Sequence, residues 1–163
     1  MDSSLQLLIE MSEFTLSAFK KGLQDVTPEE VDWRPTPDAN SINLILRHLR
    51  LEAEDHLVKI EGREPPEAVV PPLDFEQNLR DLEDLYTRFI AALRQTTLAG
   101  LEKQTAFVYQ KSPRRGSLPP HFLGFHQTVH LVGHLGQIGA IRNLYRKKCG
   151  KPGLLPNNPM FPP

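Results

Sequence analysis

The sequence predicts an all-α protein, a single domain of residues 1–163 built as a four-helix bundle. Four segments carry apolar residues at the three- and four-residue intervals that mark one face of a helix. The 15 prolines lie between these segments, in a first helical turn or in a Pro-rich tail from about residue 150. A chain of 163 residues is also long enough to bury one hydrophobic core.

The first long helix is predicted from about Ser4 to Gly22. A short helix follows, because Thr27–Glu30 supplies a threonine cap, a proline for the first helical position and a glutamate that can complete a capping box. This short helix should end at Trp33–Pro37, where two prolines remove backbone donors.

The second and third long helices have clear start and stop signals. The second is predicted to begin near Asn40 or Ser41 and to end at Gly62, a residue type typical of helix C-termini. The third should open at Asp74, with Gln77 completing a capping box. The intervening Pro-rich linker of roughly a dozen extended residues can span about 40 Å. A twenty-residue helix is only about 30 Å long, so the two helices can run parallel, joined by a crossover connection.

The fourth long helix is predicted from a cap at Ser117 to about Arg146, with Pro119 and Pro120 in its first turn. The preceding residues, about 96–116, show little periodicity. The basic run within them, residues 111–115, is interpreted as a solvated loop.

Composition narrows the classes of partner and compartment. The net charge is −1 with neutral histidines, so nothing indicates a nucleic acid or an anionic membrane as partner. Cys149 is the single cysteine, which excludes an internal disulfide and fits a reducing, cytoplasmic setting. Charged residues interrupt the apolar runs and no basic region precedes the first of them, so we expect no membrane span and no signal peptide.

Three of the six histidines share the fourth long helix at four-residue intervals: His126, His130 and His134. Each interval turns about 40° and rises about 6 Å, so the three lie near one helix face. Neighbours at this spacing can bind one metal ion, but His126 and His134 stand about 12 Å apart along the axis. One adjacent pair can therefore ligate, and a third ligand must come from another helix. The simpler alternatives are a half-polar helix face or core histidines whose hydrogen bonds are satisfied within the protein.

His48, in the second long helix between the apolar Ile45 and Leu49, is the best candidate for that third ligand. His56 and His121 are weaker candidates. Glu52 lies four residues after His48 and can complete the site, orient a ligand or act as a general base. An exposed helix carboxylate is the simpler interpretation of Glu52.

Glycines recur every three residues in the fourth long helix, at Gly133, Gly136 and Gly139. Because glycine costs ~1 kcal/mol per site in a helix, they are expected to permit close approach of another helix. That helix can belong to the same bundle or to a second copy of the chain.

Several of these residues together form a recognisable pattern over nearly the whole chain. The pattern resembles the DinB/YfiT-like superfamily, and its most specific part is the pair His130 and His134 followed by Gly136–Ile138. The chain departs from it at Leu135, where the family commonly has arginine. The further matching segments are Trp33-Arg34-Pro35, Ser41-Ile42, Arg47-His48-Leu49 with Glu52, and His126.

The resemblance implies a four-helix bundle of up-down-down-up topology that binds one divalent metal ion, zinc or nickel, through His48, His130 and His134. It also implies a homodimer and a small-molecule substrate. Family members with assigned activity use low-molecular-weight thiols, so thiol transfer and metal-dependent hydrolysis are the two enzymatic hypotheses. Glu52 and His126 are then the candidate catalytic residues. The alternative is a non-catalytic metal-binding or interaction protein that retains the three-histidine site.

Overall fold

The computed structural model describes residues 3–63, 73–102, 105–108, 115–118 and 120–154. These residues confirm the helical fold class. The predictions for the Pro-rich linker, for most of the basic run and for the end of the tail fall outside the described residues. The elements in chain order are α1 (Ser3–Leu23), α2 (Pro28–Val31), α3 (Ile42–Ile60), α4 (Phe75–Gln95), α5 (Leu98–Glu102), β1 (Thr105–Val108), β2 (Arg115–Leu118) and α6 (Pro120–Lys148).

The helix boundaries follow the capping chemistry of the sequence. Ser41 Oγ accepts a hydrogen bond from the amide of Leu44 at 3.3 Å, which satisfies a free donor in the first turn of α3. Asp74 Oδ1 does the same for the amide of Gln77 at 2.8 Å and starts α4. Gly62, with φ of +70°, follows the last turn of α3 in a left-handed conformation that favours glycine.

The segment before α6 differs from the prediction. Residues 98–102 form the short helix α5, and β1 pairs antiparallel with β2, although the sequence of this segment shows little periodicity. Ser117 lies opposite Ala106 in this hairpin, so the prediction that it caps the fourth long helix was wrong. That helix, α6, begins at Pro120 and ends at Lys148. Whether a segment forms a strand depends on the segment with which it pairs, and the residue pattern of one segment alone does not reveal that partner.

The relative directions of the long helices follow from polar contacts. For each of three helix pairs, two such contacts lie at different positions along the helix axes. These contacts are Ser12 with Thr128 and Gly22 with Arg142 between α1 and α6, Glu13 with Arg94 and Lys20 with Glu83 between α1 and α4, and Asn43 with Asn78 and Arg50 with Asp81 between α3 and α4. Residue numbers rise together in the first and third pairs, so those helices run parallel, whereas α1 and α4 run antiparallel. Ile60 and Phe75 therefore lie at opposite ends of the α3–α4 pair.

The core lies between the four long helices, and each contributes fully buried apolar side chains. Representative members are Phe19 of α1, Leu46 and Leu49 of α3, Phe89 of α4 and Leu131 of α6, all buried to 0% exposure. Burying a side chain of this kind contributes roughly 1.5–3 kcal/mol. Among the described residues, no helix is both long enough and apolar enough to cross a membrane.

The recurring glycines of α6 do not serve packing within the described bundle. A Cβ atom added at Gly133, Gly136 or Gly139 would meet nothing within 4 Å among the described residues. Close approach instead occurs at Gly22, where an added Cβ would lie 2.7 Å from a methyl carbon of Leu135, and at Gly124. The three recurring glycines therefore face outward.

Candidate metal centre

Two helices, α3 and α6, position the candidate site. His48 near the start of α3 lies against His130 and His134, whereas His56 two turns later lies against His126. Residue numbers therefore run in opposite directions, and the two helices are antiparallel. Because both carry polar side chains at four-residue intervals, the antiparallel arrangement places two matching rows face to face.

Three imidazoles converge between these helices. His48 Nε2 lies 3.2 Å from His130 Nε2, and His134 Nε2 lies 2.9 Å from the same atom. One ligand atom from each residue lies within 4.8 Å of the other two. The structure thus brings together the three histidines that the sequence singled out.

The spacing and chemistry of these nitrogens fit a divalent metal ion. Two nitrogens that each bond a tetrahedral zinc at 2.0–2.1 Å stand about 3.3 Å apart, close to the separations observed here. His130 Nε2 has one lone pair or one hydrogen, so it cannot form good hydrogen bonds to both neighbours. A cation at the centre would satisfy all three lone pairs at once.

Gln137 orients one imidazole of the cluster, and Glu52 lies close to the other two. His134 Nδ1 lies 2.9 Å from Gln137 Oε1, and since an amide oxygen only accepts, this ring nitrogen carries the hydrogen. The tautomer leaves His134 Nε2 with its lone pair toward the cluster. Glu52 Oε2 lies 3.0 Å from His130 Nδ1, although the two atoms are not aligned as a hydrogen bond. Glu52 Oε1 lies 3.6 Å from His48 Nε2.

Burial and mutual repulsion favour the neutral form of His130, and burial does the same for His134. Desolvation, followed by the nearby imidazoles of His134 and His48, lowers the pKa of His130 to about 3. Desolvation also lowers the pKa of His134. These imidazoles therefore hold unprotonated nitrogens at neutral pH, the form that a metal ion requires.

Glu52 is not the exposed helix carboxylate of the simpler interpretation. Only 23% of its side chain is accessible, and it faces His130 from α3. Burial, together with the negative charge of Asp55, raises the pKa of Glu52 above its ordinary value. A carboxylate of this kind exchanges protons closer to neutral pH than a solvated one.

His126 lies beside the cluster and outside it. Its ring stacks on that of His130 with centroids 5.2 Å apart and an interplanar angle of 21°. Its Nδ1 atom is buried and makes no hydrogen bond within the described part of the chain. Desolvation lowers the pKa of His126. This position suits a residue that lines the site without ligating the ion.

A buried polar chain next to the site was missed from the sequence. His56, only 3% exposed, has Nδ1 2.5 Å from Gln127 Oε1, and the Tyr86 hydroxyl donates to the Gln127 carbonyl at 2.6 Å. The sequence did contain a signal for it. His48, Glu52 and His56 recur every four residues, as the three histidines of α6 do, so antiparallel packing of the two helices places each residue of one row opposite a residue of the other. The side chain of His121 lies outside the described residues.

A helical bundle with a three-histidine cluster between antiparallel α3 and α6 is an arrangement that could hold a metal ion. The sequence profile of the DinB superfamily matches residues 12–138, and the chain belongs to that superfamily. No curated protein matches the chain.

One solved structure supports the fold. It is the crystal structure of a conserved protein from Enterococcus faecalis, which is similar over 88% of this chain and 97% of its own, with a TM-score of 0.62. At 16% sequence identity the likeness concerns the fold alone.

Proposed function

We propose that this protein is a metal-dependent enzyme that holds one divalent ion, zinc or nickel, through His48, His130 and His134. The observation that carries the proposal is the three-histidine cluster, in which the Nε2 atoms of His48 and His134 lie 3.2 and 2.9 Å from that of His130, with Glu52 beside it. Three protein ligands leave a further coordination position available, the pattern of catalytic rather than structural zinc sites. The framework is an up-down-down-up bundle, a topology supported by the parallel α3–α4 pair and the antiparallel α3–α6 pair.

The proposed reaction is transfer of a low-molecular-weight thiol to a small electrophile. A divalent cation in the site would lower the pKa of a thiol or water molecule that shares it. Glu52 accepts the proton of the thiol as its sulfur bonds to the electrophilic carbon, and returns that proton to the leaving group as the bond to it breaks. His126 lines the approach beside His130. Hydrolysis is the rival reaction, with water in place of the thiol and the same residues.

Turnover assays on metal-loaded and metal-stripped protein test this proposal. Metal-loaded protein should consume electrophiles such as epoxides or activated halides in the presence of a thiol, and stripping the metal should abolish the rate. A rate that needs no added thiol would assign hydrolysis. Identical behaviour of loaded and stripped protein in all assays would exclude catalysis and leave the non-catalytic metal-binding function.

The Glu52→Gln variant tests the proton-transfer role. It should keep its metal, since glutamine preserves size and polarity, while the rate falls about 100-fold because the general base is lost. Glu54→Gln is the matched control, since Glu54 lies two residues away on the same helix and belongs to none of the cluster contacts described above. Equal rates for the two variants would remove Glu52 from the mechanism.

A further inference from the structure

The three-histidine cluster has one side toward the core and one side toward solvent. On α6 the core side is marked by Leu131 and Ile138, both 0% exposed, which lie about 100° and 80° around the helix from His130. On α3 it is marked by Leu49, also 0% exposed, which lies about 100° around the helix from His48. The side chain of His48 is 47% accessible, so a small molecule can reach the cluster from the solvent side.

Gly133 lies on this solvent side, between two of the histidines. Along the axis of α6 it stands about 4.5 Å beyond His130 and about 1.5 Å before His134. Around the axis it lies about 60° from His130, in the direction opposite to Leu131, and it is exposed. Side chains of a helix tilt toward its N-terminus, so a side chain at position 133 would extend back toward His130 and over the cluster.

Packing does not explain a glycine at position 133. A Cβ atom added at Gly133 would meet nothing within 4 Å among the described residues. The position is also well inside α6, which runs from Pro120 to Lys148, and glycine is the poorest helix former after proline. What this glycine does provide is open space beside the histidines.

The opposite wall of that space belongs to α3. Leu44 and Leu51 lie about 40° and 60° around this helix from His48, on the side away from Leu49, and both are partly exposed. Leu44 is one helical turn before His48, and Leu51 is nearly one turn after it. Two leucines therefore border the solvent side of the cluster, one on each side of His48 along the helix axis.

Few charged side chains surround this space. No Asp, Glu, Lys or Arg occurs from residue 116 to residue 141, the part of α6 that carries the histidines. On α3, Arg47 lies about 100° around the helix from His48, beyond both leucines. Asp55 lies about 10 Å along the axis from His48 and pairs with Lys59. The approach to the cluster is therefore largely apolar.

We propose that Gly133 sets the size of the substrates that reach the metal ion, and that these substrates carry a bulky, uncharged apolar group such as a phenyl ring. This role rests on the proposed function, since it concerns molecules that bind next to the ion. Leu44 and Leu51 contact the apolar group from α3, and Gly133 leaves room for it on α6. A charged group in this place would lose hydration without gaining a partner, and an anionic group would also face the carboxylate of Glu52.

Binding of two thiols to the full-length chain loaded with Co²⁺ tests this role. A thiol that coordinates the ion binds as thiolate, and the charge-transfer absorption of the Co²⁺–thiolate bond measures its affinity without turnover. The probes are 2-mercaptoethanol, which is small, and benzyl mercaptan, which carries a phenyl ring. Wild-type protein should bind both, and benzyl mercaptan more tightly. Gly133→Leu should weaken binding of benzyl mercaptan by at least roughly tenfold more than binding of 2-mercaptoethanol, because leucine fills the space.

Gly139→Leu is the matched control. Gly139 also lies in α6 with nothing within 4 Å of an added Cβ among the described residues, but it stands about 180° around the helix from His130. This variant should bind both thiols as the wild type does. Gly133→Ala, which adds a single methyl group, should give a smaller loss in the same direction as Gly133→Leu. Circular dichroism and metal content establish that each variant is folded and loaded.

The outcomes separate this role from the metal site itself. Unchanged affinity of Gly133→Leu for benzyl mercaptan overturns the role of Gly133 and leaves the metal site intact, as does an equal loss in Gly139→Leu. Tighter binding of 2-mercaptoethanol than of benzyl mercaptan by the wild type overturns the apolar substrate class. Wild-type protein that takes up no Co²⁺, or that takes it up and binds neither thiol, overturns the proposed function and this role with it.

Discussion

His126 and His134 lie eight residues apart on one helix, and this separation decides which imidazoles can share an ion. About 12 Å of axial rise prevents both from reaching one point. In the structure His134 joins His48 and His130, while His126 stacks on the far side of His130 and faces His56. The row of histidines on α6 therefore divides into one half that belongs to the three-histidine cluster and another that borders a buried polar chain.

His56 predicts how stability depends on pH. Burial lowers the pKa of His56 to about 4, whereas an unfolded histidine titrates near 6.5. Its stabilising contribution is therefore complete above about pH 6.5 and is lost as pH falls toward about 4, because only the unfolded chain takes up the proton in this window. Urea unfolding of the metal-free protein should show stability declining by about 1.4 kcal/mol per pH unit for this residue.

The variant His56→Gln isolates this contribution. Glutamine keeps a polar group near Gln127 but does not titrate. The free energy of unfolding should therefore change less steeply with pH between about pH 6 and 5, by the amount that corresponds to uptake of about one proton. An unchanged slope would show that another group causes the acid sensitivity.

Sequence reasoning predicted which three histidines lie together and missed the polar chain behind them. The four-residue spacing of His130 and His134 is a local property of one helix, so it can be read without a structure. The burial of His56 and its contact with Gln127 depend on the direction in which α3 and α6 pack, which single-helix periodicity does not contain. For the same reason, the sequence alone did not distinguish Glu52 from an ordinary surface carboxylate.

At the scale of elements, α6 is held to the start of the chain by a buried ion network. Arg142, 2% exposed, donates from Nε to Glu30 Oε1 at 2.8 Å, from Nη2 to Asp25 Oδ1 at 2.8 Å and from Nη1 to the carbonyl of Gly22 at 2.6 Å. Glu30 is itself buried in α2. The network therefore links α6, the helix that carries His130 and His134, to the end of α1 and to α2.

Removing Arg142 should destabilise the protein strongly. Arg142→Met leaves the Glu30 carboxylate buried without its cation, so urea or thermal unfolding should show a loss of about 3–5 kcal/mol. Arg88→Met is the control, because Arg88 and Asp84 form an exposed ion pair at 3.8 Å and such pairs contribute about 0–1 kcal/mol. The double variant Arg142→Met, Glu30→Met should recover much of the loss. Equal effects of the two single substitutions would contradict a buried role for Arg142.

The elements differed in how well local chemistry predicted them. The side chains of Ser41 and Asp74 each accept a hydrogen bond from a backbone amide three residues later, so both helix starts could be predicted from the local sequence. The hairpin before α6 joins strands separated along the chain, and Ser117 takes part in it instead of capping a helix. Of the two roles predicted for the recurring glycines of α6, packing within the bundle was wrong, because a Cβ atom added at any of them would meet nothing within 4 Å among the described residues.

At the scale of the whole molecule, the relative directions of the helices determine where the three histidines meet. The parallel α3–α4 pair and the antiparallel α3–α6 pair bring the start of α3 to the middle of α6, where the three histidines meet. The length of the Pro-rich linker allowed parallel directions of α3 and α4 to be predicted, because the distance that a linker can span follows from its number of residues. Which helix faces meet depends on long-range packing and required the structure.

Metal content of purified variants tests the central claim, that His48, His130 and His134 bind one divalent ion, most directly. Elemental analysis should give one zinc or nickel per chain for the wild type, loss of most of it for His130→Ala, and retention of it for His126→Ala, which removes the neighbouring imidazole four residues away on the same helix. Full occupancy in His130→Ala, or equal loss in both variants, would contradict the claim.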